Sequence, residues 1–299
     1  MAKKILALYY TQSGQLEDIL NSFTEPLKKA GHTVEILRVY PQNEYPFPWS
    51  AESFFSVMPD CVLGVIAALK PFQLKETRYD LVLFGYQAWF LSPSIPANSL
   101  LHNAQVQAIL KDTPVITVTG ARNMWISALE RIKKSFKEIG AQHVGNIVLV
   151  DTHANLISVI TILYWMFTAK RDRFLDIFPK PGVSDTDIER TKLFGTIVDK
   201  YLSKNEWTGL QNELLAEKAV VVEYNLMYTE SKATRLFGIW ANFIVKRKNR
   251  DPWLVVFKYY LLIALFIAAP IILTINTIFF KPFLRTRIKK ELAYYSGVN

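Results

Sequence analysis

Apolar positions in the first half of the chain follow two alternating rhythms. Strand patterns lie at 3–9, 33–39, 81–85, 114–119 and 144–150, and helical patterns at 15–30, 61–70, 97–110 and 125–140. In the first of these helices Leu16, Ile19, Leu20, Phe23 and Leu27 recur three and four apart. Glu17 and Asp18 stand in its first turn, where carboxylates suit the positive end of the helix dipole. Pro41 to Trp49 forms a Pro-rich connection. Five strands alternating with helices from Met1 to about Asp151 predict an α/β fold, a doubly wound parallel sheet with helices on both faces.

Ligands in such folds bind beyond the carboxyl ends of strands, where the strand order reverses. The run Ile5 to Tyr10 stops at Thr11-Gln12-Ser13-Gly14-Gln15, so hydroxyls and a glycine separate a strand from a helix N-terminus. Backbone N–H groups and the helix dipole converge there, which suits a phosphate. An ordinary turn capped by Thr11 and Ser13 accounts for the same residues. The loop after the third strand, Gly85-Tyr86-Gln87-Ala88-Trp89-Phe90-Leu91-Ser92-Pro93, carries large rings where a polar link is usual. After the fourth strand comes Thr119-Gly120-Ala121-Arg122-Asn123-Met124-Trp125, again small residues followed by a large ring. A planar, phosphorylated ligand fits all three.

These loops resemble the three FMN-binding loops of flavodoxin-like proteins, over about half the chain. The resemblance implies a flavodoxin-like five-stranded parallel sheet in the order 2-1-3-4-5. It also implies FMN, with its phosphate at Thr11, Gln12, Ser13, Gly14 and Gln15 and its ring flanked by Trp89 with Tyr86, Gln87, Ala88 and Phe90. Thr119, Gly120, Ala121, Arg122, Asn123, Met124 and Trp125 would close the other side. Leu16 stands where many flavodoxins carry a further threonine.

A closing helix is expected at Asp185 to Lys204, capped by Ser184, which ends a flavin domain at about residue 205 with an apolar insertion at 152–183. Within it, 155–168 is apolar almost all round and is followed by Lys170, Arg171 and Arg173. Its length falls short of the roughly 20 residues that cross a bilayer. A buried core helix, a dipping segment, a dimer-interface helix and the wall of a lipid pocket all stay open, and with the third a homodimer. Residues 206–299 form a helical, membrane-associating region in which Ala219 to Val222 has no assigned place. Lys232 to Arg250 reads as an interfacial helix, and 253–280 as a hydrophobic segment long enough to span. Basic residues flank that segment on both sides, Lys246, Arg247, Lys248 and Arg250 before it and Lys281, Arg285, Arg287, Lys289 and Lys290 after it. The positive-inside rule therefore places both ends in the cytoplasm. With Pro270 in mid-stretch, this predicts a re-entrant hairpin, a monotopic anchor on the cytoplasmic face of the inner membrane, with a single pass as the near alternative.

Composition agrees with membrane contact. The 299 residues carry a net charge of +9 and are 51% hydrophobic, and mean hydropathy is +0.13. Lys and Arg gather beside late apolar stretches and not on an aromatic-interleaved face, so membrane lipids and no nucleic acid are the expected partners. The N-terminus reads as a strand without a signal peptide, and the single cysteine, Cys61, permits neither an intrachain disulfide nor a cysteine-based zinc site. No metal-ligand cluster and no Ser-His-Asp arrangement is visible, which argues against metalloenzymes and hydrolases.

Flavodoxin-type carriers are usually small and acidic, whereas this chain is basic and twice the length needed. The layout and the loops at Gly85 to Pro93 and Gly120 to Trp125 resemble the bacterial dialkylresorcinol condensing enzymes. That resemblance implies an FMN-dependent oxidoreductase acting on a lipophilic substrate, aromatising a dialkylcyclohexane-1,3-dione supplied by a partner ketosynthase. A membrane-associated NAD(P)H-quinone reductase and an anchored flavodoxin-like electron carrier are the alternatives. Among candidate catalytic groups, His153 directly follows the fifth strand and is a base candidate, Arg122 an enolate-binding one and Tyr86 a proton donor. Each also has a plain structural reading, as loop histidine, surface ion pair and packing ring.

Overall fold

In the computed structural model, which describes residues 2–298, the strands are β1 (Lys4–Tyr9), β2 (Thr33–Arg38), β3 (Leu81–Tyr86), a short hairpin β4 (Ala88–Trp89) and β5 (Ser92–Pro93), β6 (Pro114–Ala121) and β7 (Gln142–Val150). The main sheet runs β2-β1-β3-β6-β7, parallel at every pair. Counting only its own strands, the order is the expected 2-1-3-4-5 of the flavodoxin-like fold. It reverses between β1 and β3.

Helices α1 (Gln15–Lys29) and α8 (Asp185–Lys204) cover one face; α4 (Ile95–Leu101), α5 (Ala104–Leu110) and α6 (Ile126–Ile139) cover the other. The expected single helix at 97–110 is broken after Leu101, because the Asn103 side chain accepts from the N–H of Gln105 and Val106 and starts a new helix. The helix expected at 61–70 lies earlier, as α2 (Ala51–Ser56) and α3 (Met58–Leu63). Gly64 ends α3 in the left-handed region, and the chain beyond is irregular apart from a bridge between Pro41 and Leu69.

The apolar segment forms α7 (Asn155–Thr168), and the closing helix α8 starts at its Ser184 cap. Beyond it, α9 (Leu210–Ala216) is followed by Ala219, whose carbonyl accepts from Val148 N–H at 2.8 Å. Helix α10 (Tyr224–Val245) begins earlier than the sequence pattern indicates and lies on α3 and α6. Its Glu230, 1% exposed, accepts from Ser127 N–H at 2.6 Å in the first turn of α6. Burial pushes that carboxyl up, against the pull of the α6 N–H groups. All three apolar cores mix residues before and after position 205, among them Leu210, Met227 and Phe257.

The hairpin expected at Pro270 does not form. A single helix runs from Asp251 to Ser296. Pro270 sits at the second position of the turn that follows a π-helical segment, Ala264–Ala268, which loosens the ladder where the proline N–H is missing. The start of this terminal helix buries Leu254 and Phe257 against Phe55 and Phe237. Its middle hydrogen-bonds through Asn276 to Tyr224 Oη at 3.0 Å, and its end buries Ile288 and joins Tyr294 Oη to Glu130 at 2.8 Å. Ile263, Ile267, Ile271, Ile275 and Phe279, spaced by four, face outward.

One contact fixes how closely the helices approach. At Gly195 on α8 an added Cβ would stand 2.1 Å from the Phe23 carbonyl oxygen of α1, whereas at Gly238 on α10 it would meet nothing within 4 Å. Gly195→Ala is expected to destabilise by about 2 kcal/mol or more, within the overpacking range, and Gly238→Ala to be neutral or to stabilise by up to about 1 kcal/mol. Thermal unfolding in detergent reads both; equal midpoints would contradict the α1–α8 packing.

Candidate functional site at the sheet edge

The first, third and fourth strands end beside one another, and their loops surround a cavity of about 220 Å³. Two glycines on these strands set how tightly α1 presses down. A Cβ on Gly85 would come within 2.6 Å of Tyr9 Cβ, and one on Gly120 within 2.8 Å of Ile19 Cδ1. Their absence brings the N-terminus of α1 against the carboxyl edge.

There Gly14 takes φ +87°, and its N–H donates to Thr11 Oγ1 at 3.1 Å. The N–H groups of Ser13, Gln15 and Leu16 have no protein acceptor among the described residues, nor has the Ser13 hydroxyl. Unsatisfied first-turn donors at the positive end of a helix form an anion site. The Gln15 side chain is committed elsewhere, donating to the Val183 carbonyl and accepting from its N–H, both at 3.0 Å. The loops are also tied together, since Gln12 N–H donates to Gln87 Oε1 at 3.0 Å.

Of the residues indicated by the sequence, Gln12, Ser13, Gln15, Gln87, Ala88, Trp89, Phe90, Gly120, Ala121 and Arg122 line this cavity. Thr11 and Gly14 shape the loop beneath it. Tyr86 does not reach it: the ring is fully buried in the core on the α6 face, its hydroxyl without a partner among the described residues and pushed well up by burial. A strand points successive side chains to opposite faces, so Tyr86 turns inward and cannot serve as the proton donor. Trp125 is likewise a core residue, 2% exposed, and Thr119 is buried with its hydroxyl donating to the Tyr86 carbonyl at 2.7 Å. Asn123 donates to Asn155 Oδ1 at 2.7 Å. His153 lies outside the lining of the cavity, so its imidazole does not face the space where a base would act, and its Nδ1 is 2.6 Å from Asp151 Oδ1.

The cover comes from two stretches outside the three loops. Trp49, Phe54 and Val57 from the Pro-rich connection and α2, and Ile162, Leu163, Trp165 and Met166 from α7, close the cavity from above with Gly182. Trp49 N–H donates to the Met166 carbonyl at 2.8 Å, joining the two insertions, and Trp49 meets Trp89 edge to face with centroids 5.6 Å apart. Asp151, 2% exposed, holds the loop that returns from α7 to α8 through Gly182 N–H at 3.1 Å. The apolar run 155–168, with the wall of a lipid pocket among its readings, was the signal for α7, and Trp49 at the end of a Pro-rich run was the signal for the other stretch.

Beside this cavity lies a second of about 440 Å³, between α7, α10 and the terminal helix. The two share Phe54, Ala88, Phe90, Arg122, Ile162 and Leu163 as lining, and Met124 faces the second alone. Arg122 sits at the junction. Its Nη1 donates to the Asn155 carbonyl at 3.1 Å, to Asn155 Oδ1 at 2.8 Å and to Ser158 Oγ at 3.2 Å, which binds α7 to the sheet edge. Burial lowers its pKa to about 10, opposed by Asp151, so it remains a cation at neutral pH.

The chain matches no protein-family model and no curated protein. It is similar in structure to a flavoprotein in complex with FMN from Lactobacillus acidophilus NCFM, 19% identical over 49% of this chain and 93% of that one, with a TM-score of 0.41. A flavodoxin from the domain Archaea is 11% identical over 67% of this chain and 99% of that one, TM-score 0.37. Two-electron reduced Megasphaera elsdenii flavodoxin is 16% identical over 51% and 89%, TM-score 0.31.

Proposed function

We propose that the chain is an FMN-dependent oxidoreductase acting on a lipophilic substrate at a membrane surface. The observation that carries this reading is the junction of the sheet-edge cavity, with its unsatisfied first-turn N–H groups and ring-lined walls, with an apolar cavity walled by the terminal helix. Ser13, Gln15 and Leu16 would hold the phosphate through N–H groups, and Trp89, Phe90 and Trp49 would bound the ring. Bound there, FMN supplies two-electron redox chemistry. The chain's own part is to close the site: Trp49, Trp165 and Met166 keep water from the reacting atoms. No Asp, Glu or His lines either cavity.

A substrate acidic enough to give its proton to bulk water before it enters needs no base from these walls. A dialkylcyclohexane-1,3-dione has that acidity between its carbonyls, and removal of two hydrogens gives an aromatic dialkylresorcinol. This favours oxidative aromatisation over quinone reduction, with a ketosynthase of the same pathway as partner. The terminal helix serves as an anchor lying in the plane of the cytoplasmic leaflet. It packs on α2 and α10 at its start, on α10 in its middle and on α6 at its end, so it has no free length with which to cross. Its outward isoleucines and flanking cations suit acyl chains and anionic headgroups.

Detergent-purified protein is expected to bind FMN, seen by quenching of flavin fluorescence on titration. Ser13→Asp, which sets a carboxylate among the phosphate donors, is expected to weaken binding at least tenfold with the circular dichroism unchanged. Unaltered affinity would remove the phosphate from this loop.

Topology is tested with Cys61 as a silent background, since that thiol is buried. Ser203→Cys on α8 and Lys290→Cys near the end of the terminal helix are expected to react with an impermeant maleimide from the same side of sealed vesicles. Labelling from opposite sides would establish a crossing helix and sink the in-plane anchor.

A further inference from the structure

The second cavity has a chemistry of its own. Its walls are apolar: Val159 and Leu163 of α7, Leu236 and Phe237 of α10, Leu265 and Ile272 of the terminal helix. No acidic residue lines it, and its two cations lie apart, Lys232 on an exposed turn of α10 and Arg122 at the inner end. Arg122 is the unusual one. All three of its hydrogen bonds leave from Nη1 and go to neutral oxygens of α7, and it forms no ion pair among the described residues. Its Nε and Nη2 have no protein acceptor, and neither is sealed from the cavities.

Asp151 acts on this guanidinium only through space and forms no ion pair with it among the described residues. A cation against apolar walls with an unfilled donor edge is costly unless an anion completes it. Its free donors form one edge of a planar fork, which matches two oxygens or a delocalised oxyanion. An inorganic anion would leave the rest of the cavity lined by bare hydrocarbon. An amphiphile satisfies both ends.

We propose that the second cavity binds a long-chain amphiphile with a delocalised oxyanion head, a carboxylate or a 1,3-dione enolate, its head on the free edge of Arg122 and its chain between α7, α10 and the terminal helix. The head then stands at the mouth of the sheet-edge cavity, beside Ala88 and Phe90, which line both. The far wall is the same helix whose outer face carries Ile267 and Ile271, so the chain leaves toward the anchoring surface. Arg122 binds α7 with one nitrogen and the ligand with the others, so occupancy of the cavity also holds α7 over the flavin site. The proposal rests on the redox reading only for the fate of the head group, not for binding.

The test is displacement of a fluorescent dodecanoate from the full chain in maltoside detergent by dodecanoate, 2-dodecylcyclohexane-1,3-dione and dodecanol, with and without FMN. At least one of the two anions is expected to bind tenfold or more tightly than dodecanol, and the stronger of the two identifies the head. Arg122→Gln is expected to reduce that preference to less than threefold. Ala268→Trp, which fills the groove from the terminal helix, is expected to weaken every chain-bearing ligand at least tenfold while FMN titrates as in the parent. Dodecanol binding as well as both anions, no binding of any amphiphile, or no effect of Ala268→Trp would overturn the proposal. Should Arg122→Gln fail to fold, the anion-to-alcohol ratio on the parent chain still decides it. Amphiphile binding without FMN binding would defeat the redox reading alone, and FMN binding without amphiphile binding would defeat this one alone.

Discussion

The close approach of α1 to the carboxyl edge of the sheet is the constraint from which the rest follows. Two strand residues without side chains, Gly85 and Gly120, let Tyr9, Ile19 and Leu20 fill the space between helix and sheet. The first-turn donors of α1 are thereby carried to the point where β1 and β3 part, and a charged group placed there meets a dipole held by packing. Gly195 then lets α8 close on the flank of α1 over the same face of the sheet. A helix packed on the sheet and against a neighbouring helix in this way is held in place, so its donors are preorganised.

Onto that frame the chain adds a roof. Arg122 reaches from the fourth-strand loop of the sheet to α7, Asp151 reaches from the end of β7 to Gly182, and Gln15 reaches from α1 to Val183. Each is a buried polar group whose partner belongs to the insertion, so the insertion is held by hydrogen bonds at its base and by aromatic contacts at its edge. Polar anchors of this kind fix position, since leaving one unpaired in a dry interior costs more than making it contributes.

Much of the fold was legible because it rests on local periodicity. The strand runs, the α1 stripe and the Ser184 cap of α8 each depend on residues a few positions apart. The loops at 11–15, 85–93 and 119–125 were found because fold class dictates where ligands bind. What escaped depends on long-range packing. Tyr86 and Trp89 are three apart in one loop, yet the strand ends between them, so one ring enters the core and the other the cavity. Trp49 and Met166 meet across more than a hundred residues, a contact no local pattern announces. Pro270 misled because a proline in isolation reads as a break, and a neighbouring π-turn absorbs it.

The terminal helix has a consequence for how the chain is divided. Its inner face walls a cavity while Phe257 and Ile288, near its two ends, complete two different cores that also contain Phe55 and Phe136. Leu210 and Leu214 of α9 meanwhile seal the α1 face of the sheet. The flavodoxin-like half is therefore not a portable module carrying a detachable tether: truncation near residue 205 would uncover hydrocarbon on both sides of the sheet and yield an aggregating fragment instead of a soluble miniature of the fold.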